Sequence, residues 1–433
     1  MQFRAPSLSI SHFPTALPTA LLTAFLSALL SLAISVVAIS VVATTVSAHE
    51  NVELNPQWAE GEHYELGNTG ALLACAELGI GKKNCPLANI GRADAAIKFS
   101  YGELVSAADF YETAEDLDTD RQSGIANIML CVHRQFREHK ASGSTAPKYS
   151  ECQVPALFSM PGYLEVITQN YNHFAWNNMV AYVHNHEVAL NLARQAFLLE
   201  RRDSEMSKRK FAQGLIHNAF ADHYLTDAFA AGHIRVPRIQ LKDWALTNLT
   251  GLFKGLRGDM FALLMHEFES VRLGTGEEQG LAVKNSRGDD WKTRSDQHLH
   301  LKGEPNDPGS MLPLMALKES FKELLIARVT GELPEARYAA ALFVPFPNDI
   351  PLAKKFSPAF LQMRKKEILN ALTSSLPIYQ RFFFKRADFS RMLAALPQIF
   401  RNFHQAVAAD LAAKPALQTR LPQPYIDAYL KVE

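Results

Sequence analysis

Apolar residues recur at three- and four-residue spacing along most of this chain, and that period admits helices and little else. Between Val180 and Arg202 the apolar positions are Val180, Val183, Val188, Leu190, Leu192, Ala193, Phe197 and Leu198. Side chains so spaced gather on one face of a helix. The same texture predicts helices over Ser100–Leu117, Met206–Ala231, Leu246–Val271, Leu317–Val329 and Phe389–Ala413. Strand-like alternation is scarce, so the expected class is all-α. One stretch breaks the pattern. From Gly274 to Ser310, Gly, Asn, Asp, Lys and Pro crowd together, and Asn285-Ser286-Arg287-Gly288 is a turn signal. A long loop with room for a short hairpin is expected there. It places a boundary near residue 305, between a region 49–305 and a mainly helical C-terminal region 306–433.

The first 48 residues have a different character. Arg4 is the only charge before an apolar run from Leu17 to Ala43, and Val46-Ser47-Ala48 offers small residues at cleavage positions. That is the layout of a signal peptide. The run is also long enough for an uncleaved anchor. No basic stop-transfer cluster follows it, which favours cleavage after Ala48 and leaves His49 as the new N-terminus. The mature protein is then expected to be secreted or periplasmic. Four cysteines, Cys75, Cys85, Cys131 and Cys152, fit such export as two disulfides, the simplest pairing being Cys75–Cys85 and Cys131–Cys152. Lys and Arg total 44, as do Asp and Glu. This balance argues against a dedicated binder of duplex DNA, and no stable nucleic-acid partner is expected.

Chemistry concentrates in His223-Tyr-Leu-Thr-Asp227-Ala-Phe-Ala-Ala-Gly-His233. His223 and Asp227 lie one helical turn apart, and Gly232 marks a bend from which His233 can swing back. Imidazole with carboxylate is a ligand set that suits zinc. Further candidates stand in order along the chain: His63 in Trp58-Ala-Glu-Gly-Glu-His63, Asp109 before Phe110-Tyr111, His173 in Asn172-His173-Phe174, and His266 followed by Glu267 and Glu269. His184, His186 and His217 read as partners of these ligands or as ordinary polar positions. His298 and His300 read as solvated loop residues. Arg235 and Arg238 offer either phosphate contacts or structural ion pairs. Phe382-Phe383-Phe384 beside Lys385 and Arg386 reads as core, with a membrane-surface contact as the alternative.

Taken together, the ordered ligands and the His-x3-Asp-x5-His segment resemble the zinc-dependent bacterial phospholipases C, whose superfamily includes single-strand-specific nucleases. The chain is most similar to the Gram-negative phosphatidylcholine-hydrolysing branch, with the resemblance covering roughly residues 49–300. It implies an all-α, multi-helix bundle around a cleft holding three Zn²⁺ ions. Asp109, His173, His223 and Asp227 would hold the first ion. His233, His266 and Glu269 would hold the second, with Glu269 departing by one residue from the family's position, where Ser270 stands. The amine and carbonyl of His49, with His63 and a bridging Asp227, would hold the third. Asp109 would also orient or deprotonate the attacking water.

The expected reaction is hydrolysis of phosphatidylcholine or a related phospholipid, at a membrane surface, to diacylglycerol and a phosphorylated head group. Phe110 and Tyr171 would form an aromatic wall for choline, with Glu50 adding negative charge. The same rings would suit base stacking in a nuclease. The third alternative is a non-catalytic, membrane-associated helical protein.

Overall fold

The structure, a computed structural model, describes residues 60–91, 98–119, 124–142, 152, 156, 159–160, 162–251, 253–270, 280–294, 299, 307–347 and 386–430. The expected leader, His49, Glu50, His298, His300 and Phe382 to Lys385 lie outside them, as do the side chains of Glu267, Glu269 and Arg386. The protein is mostly helical, as its apolar period requires.

Two long antiparallel helices form the centre: α6 (Trp176–Leu199) and α7 (Ser204–Asp227). Asp203 accepts a hydrogen bond from the Met206 amide and so caps α7, in a position short polar side chains favour. Against this pair pack α1 (Glu60–Glu77), α2 (Tyr101–Ala107), α3 (Ala114–Thr119) and α11 (Pro308–Thr330). α4 (Gly124–Ser142) lies on α1 and α2, and α5 (Tyr163–Gln169) leads into a 3-10 turn at Tyr171–His173. α8 (Ala231–Ile234) and α9 (Arg238–Asn248) pack on α10 (Lys254–Ser270).

The expected turn at Asn285 is present. β1 (Leu281–Lys284) and β2 (Asp290–Thr293) form an antiparallel hairpin, and β3 (Phe346–Pro347) joins the free edge of β1. Asn285 Oδ1 accepts from the amides of both Arg287 and Asp289, and Gly288 takes φ +94°. That conformation is cheap only without a Cβ.

Three expected helices end differently. Ser100–Leu117 is two helices: Ser100 and Glu103 form a capping box that starts α2. α2 stops at Ala107, leaving Asp109 in the break before α3. Leu246–Val271 is likewise divided at Gly251, whose φ of +96° separates α9 from α10. α7 ends at Asp227, and Ala230 is extended. Gly232 therefore lies inside α8 and is not the bend; the turn is made by Ala228–Ala230.

Beyond residue 305, α11 starts at Pro308 under an Asp307 cap and packs on α1, α6 and α7. α12 (Arg386–Ala413) carries α13 (Pro415–Arg420) and α14 (Gln423–Leu430). Buried Arg257 of α10 pairs with Asp388 of α12. One continuous apolar core runs from Leu66 to Tyr429 and joins the helices on both sides of residue 305. Disulfides link Cys75 to Cys85 and Cys131 to Cys152, as expected. No helix among the described residues is long and apolar enough to cross a membrane.

Candidate metal centre

Asp227, at the last turn of α7, is the hub. One turn earlier on the same face is His223, as the four-residue spacing requires. From α1 comes His63, from the break after α2 comes Asp109, and from the 3-10 turn comes His173. Asp227 Oδ2 lies 2.8 Å from His173 Nδ1 and 3.4 Å from His223 Nε2, while Oδ1 lies 3.5 Å from His63 Nε2. His223 Nε2 is also 3.0 Å from His173 Nδ1 and 3.6 Å from Asp109 Oδ1. Two groups of ligand atoms thus share His223: His63 with Asp227, and Asp109 with His173. Within each group all ligand atoms lie within 4.8 Å of one another. Asp227 presents one oxygen toward each group, the geometry of a bridging carboxylate.

The hydrogen bonds around the imidazoles fix their tautomers. His223 Nδ1 faces the Val105 carbonyl at 3.0 Å and must donate to it, leaving Nε2 as a lone pair toward Asp227. Thr226 has one proton, placed on the His223 carbonyl at 2.8 Å or that of Asp222 at 3.1 Å. Toward His63 Nδ1, at 2.7 Å, it therefore accepts, and His63 Nε2 is left bare. His233 Nδ1 donates to the His173 carbonyl at 2.5 Å, which frees Nε2 in the same way. Three histidines are held with a basic nitrogen unprotonated, the state in which imidazole ligates a metal.

Electrostatics agree with this arrangement. Burial holds the His223 imidazole well below its ordinary range, so the ring is neutral. Burial would push Asp227 up, and its carboxyl is held below the usual range by positive charge on the neighbouring His223, His233 and His173 rings; with those rings neutral, that charge is the place a cation would take. Asp109 is the more open member, its side chain 15 % exposed.

His233 and His266 form a second imidazole pair, ring centroids 4.9 Å apart. The ring of Phe174 stacks on His233 at 4.7 Å and meets His266 at 6.1 Å. Gly232 makes room for the pair: a Cβ there would lie 2.3 Å from His266 Cδ2. Whether Glu269 or Glu267 completes the pair falls outside the described side chains. Next to Phe174, Ala175 holds φ +52°, a conformation costing about 1–3 kcal/mol for a residue with a Cβ. Its amide donates to the His233 carbonyl at 2.5 Å, so the unusual backbone ties the turn of His173 to the loop of His233.

Phe110 is a correction. It lies in the core, 1 % exposed and 5.5 Å from the ring of Tyr163, because the chain turns inward between α2 and α3. An aromatic wall for choline is not available from it. Tyr171 is half-buried at the surface, but Lys242 Nζ sits 5.3 Å from its centroid and the Arg238 guanidinium 6.0 Å. Arg238 and Lys242 share Asp259 in an ion-pair cluster, the structural role that was one of the two expected of Arg238. Arg235 is buried at the end of α8. His186 joins Asn218 and Glu323, and His217 faces Asn185 and Glu115, so neither stands in the two candidate ligand groups.

Sequence reasoning missed Thr226, Phe174 and Ala175. Thr226 sits beside Asp227 inside the motif, where a hydroxyl three residues after His223 was a usable signal. Comparison with known protein families, curated proteins and solved structures returned no match.

Proposed function

We propose that this protein is a zinc-dependent phosphodiester hydrolase of the phospholipase C type, acting on phospholipids. The observation that carries the reading is the convergence of His63, Asp109, His173, His223 and Asp227 from distant stretches onto one buried space. The donor set is hard oxygen and imidazole nitrogen, which suits Zn²⁺. Ligands around a tetrahedral zinc at 2.0–2.1 Å stand about 3.3 Å apart. The His223–Asp227, His63–Asp227 and His223–Asp109 separations of 3.4, 3.5 and 3.6 Å are close to that spacing.

When bound, zinc supplies Lewis acidity toward a phosphate oxygen and an ionised water at neutral pH. The chain's residues do the rest. Val105 and Thr226 aim two imidazoles, Asp227 draws both ligand groups together, and the aromatic rings of Tyr224 and Phe174 pack against His173 and His233. Asp109 combines a carboxylate with partial exposure, which fits a group that takes a proton from incoming water.

The even charge balance favours a lipid over duplex nucleic acid, and the two disulfides fit an exported protein acting outside the cell. The test combines metal analysis with hydrolysis. Protein purified without chelator is expected to carry zinc and to cleave phospholipid on the glycerol side. Chelator is expected to abolish turnover, and added zinc to restore it. Turnover that survives complete metal removal ends the hydrolase reading; cleavage of single-stranded DNA with no lipid cleavage replaces it by the nuclease.

A further inference from the structure

Opposite the metal ligands, the central helix pair exposes apolar and basic side chains together. α6 ends at Leu199 and α7 starts at Ser204, and the end of α11 lies against both. Gly331, which closes α11, packs so near Phe197 that a Cβ there would lie 2.5 Å from the ring. Arg328 pairs with Glu200 and sits 5.4 Å from the Phe211 centroid. At this junction Leu198 and Val329 are 60 and 61 % exposed, and Phe197 37 %. Large apolar side chains gathered in water mark a contact surface. Charge says what covers it. Residues 194–210 hold six Lys and Arg against three Asp and Glu. The three acids are engaged: Glu200 with Arg328, Glu205 with Lys208, and Asp203 with the Met206 amide. Arg194, Arg201, Arg202 and Arg209 are exposed and make no ion pair among the described residues. The end of α11 adds Arg328 and Glu332, one of each sign, so the excess stays positive. Arg194 stands one turn before Leu198, and Arg201 and Arg202 follow within a turn, so cations flank the apolar tip on both sides.

From this we infer that the α6–α7 turn and the end of α11 form a docking surface for an anionic bilayer. Phe197, Leu198 and Val329 enter the interface, and the arginines meet the acidic head groups around them. Their long apolar stems lie along the apolar tip while the charges reach outward. A nucleic acid would use the charge and leave the tip bare, whereas a bilayer interface uses both. The inference does not rest on the hydrolase reading. α7 has 24 residues, so the surface stands about 35 Å from Asp227 at the other end of the helix.

The experiment sediments mature protein with vesicles of phosphatidylcholine, either pure or with about a third phosphatidylglycerol, after a short incubation on ice. The vesicles with phosphatidylglycerol are expected to bind about tenfold more tightly, and the preference to fade as salt is raised. Arg201→Gln with Arg202→Gln is expected to weaken that binding about tenfold, while the paired change to Lys keeps it. Leu198→Gln is expected to weaken it about threefold and to leave the salt dependence in place. Lys414→Gln, an exposed cation beside Asp410 and Trp176 at the other end of α6, is expected to change nothing. Circular dichroism checks that each variant is folded, and since Arg201, Arg202 and Leu198 are all exposed, one informative variant survives if another does not. Equal binding to both vesicles, no binding to either, or binding indifferent to the glutamine pair and to Leu198→Gln would each overturn the inference. So would self-association abolished by Leu198→Gln with vesicles ignored, which would give this surface to a second copy of the chain.

Discussion

A methyl group at position 232 would lie 2.3 Å from His266 Cδ2 and 2.5 Å from its Nε2, closer than any Cβ tolerates. The neighbour is a buried ring set edge-on against the stacked pair of His233 and Phe174, so it has little freedom to yield. Gly232→Ala is therefore expected to leave helix content intact and to push His266 away from His233. Metal analysis is expected to show loss of the ion this pair would hold, with activity falling at least tenfold as ligand geometry degrades. Full metal content in Gly232→Ala would show that the pair binds nothing. A second residue-scale expectation concerns Thr226. Thr226→Val preserves shape but removes the acceptor for His63 Nδ1, so the ring is free to turn or to change tautomer. Chelator competition is expected to reveal a 10–100-fold weaker metal affinity, the usual cost of losing a partner that orients a ligand. An unaltered affinity would mean that His63 is placed by packing alone. At this scale the site was largely legible. His223 and Asp227 announce themselves by spacing, whereas Asp109 and His173 gain their place when the chain brings them to 3.6 and 3.0 Å from His223 Nε2.

The loop that carries His233 is gripped from two other elements. Ala231 N donates to the Arg294 carbonyl beyond β2 at 2.8 Å, and Thr293 Oγ1 donates to the Phe229 carbonyl. From α14, Tyr429 Oη donates to the Ile234 carbonyl at 2.7 Å, and its ring lies 5.9 Å from that of Trp176. Tyr429→Phe keeps the ring but strands a buried carbonyl, and is expected to cost about 1–3 kcal/mol. Thermal melts measure that loss. Faster zinc release under chelator is expected alongside it, because Ile234 follows His233 directly. A destabilised variant with an unchanged release rate would confine Tyr429 to a structural role. These grips were invisible in the sequence, since nothing about Tyr429 or Thr293 names its partner nearly 200 or more than 60 residues away. Long helices were easier to read. α12 keeps a clear apolar stripe, and in α6, α7 and α11 apolar residues recur at three- and four-residue spacing over enough turns to locate the helix. α1 escaped that reading because it is buried on several faces, with Glu60, Gly61, Glu62, His63 and Glu65 all covered. A helix so enclosed has no polar side to set off an apolar one. The divisions at Asp109 and Gly251 were missed for the opposite reason: the period resumes after each break.

Across the whole molecule, a buried polar chain binds four regions together. Tyr101 of α2 donates to Asp222 of α7 at 2.6 Å; Asn218 of α7 donates to Tyr101 at 2.7 Å and meets His186 of α6 at 2.7 Å. His186 meets Glu323 of α11 at 2.9 Å, and Glu323 accepts from the Ala339 amide at 2.9 Å. The region after residue 305 is thereby tied into the centre by polar as well as apolar contacts. Burial pushes the Asp222 carboxyl up to about 7, against the hydrogen bonds from Ser320, Tyr101 and Asn218 that pull it down. In the unfolded chain the same group ionises near 4. Between those values the folded state holds a proton that the unfolded state has lost, so stability falls as pH rises through the window, and above about 7 the penalty is complete. Asp222→Asn keeps an acceptor for Tyr101 and cannot ionise. In metal-free protein, where ligand titration by zinc does not intervene, the variant is expected to gain on the native chain by about 1.4 kcal/mol for each pH unit between 5 and 7. Paired urea melts at pH 5, 6, 7 and 8 read this as a difference that grows and then levels off. Two parallel stability curves would show instead that Asp222 stays ionised throughout, with the network solvating its charge.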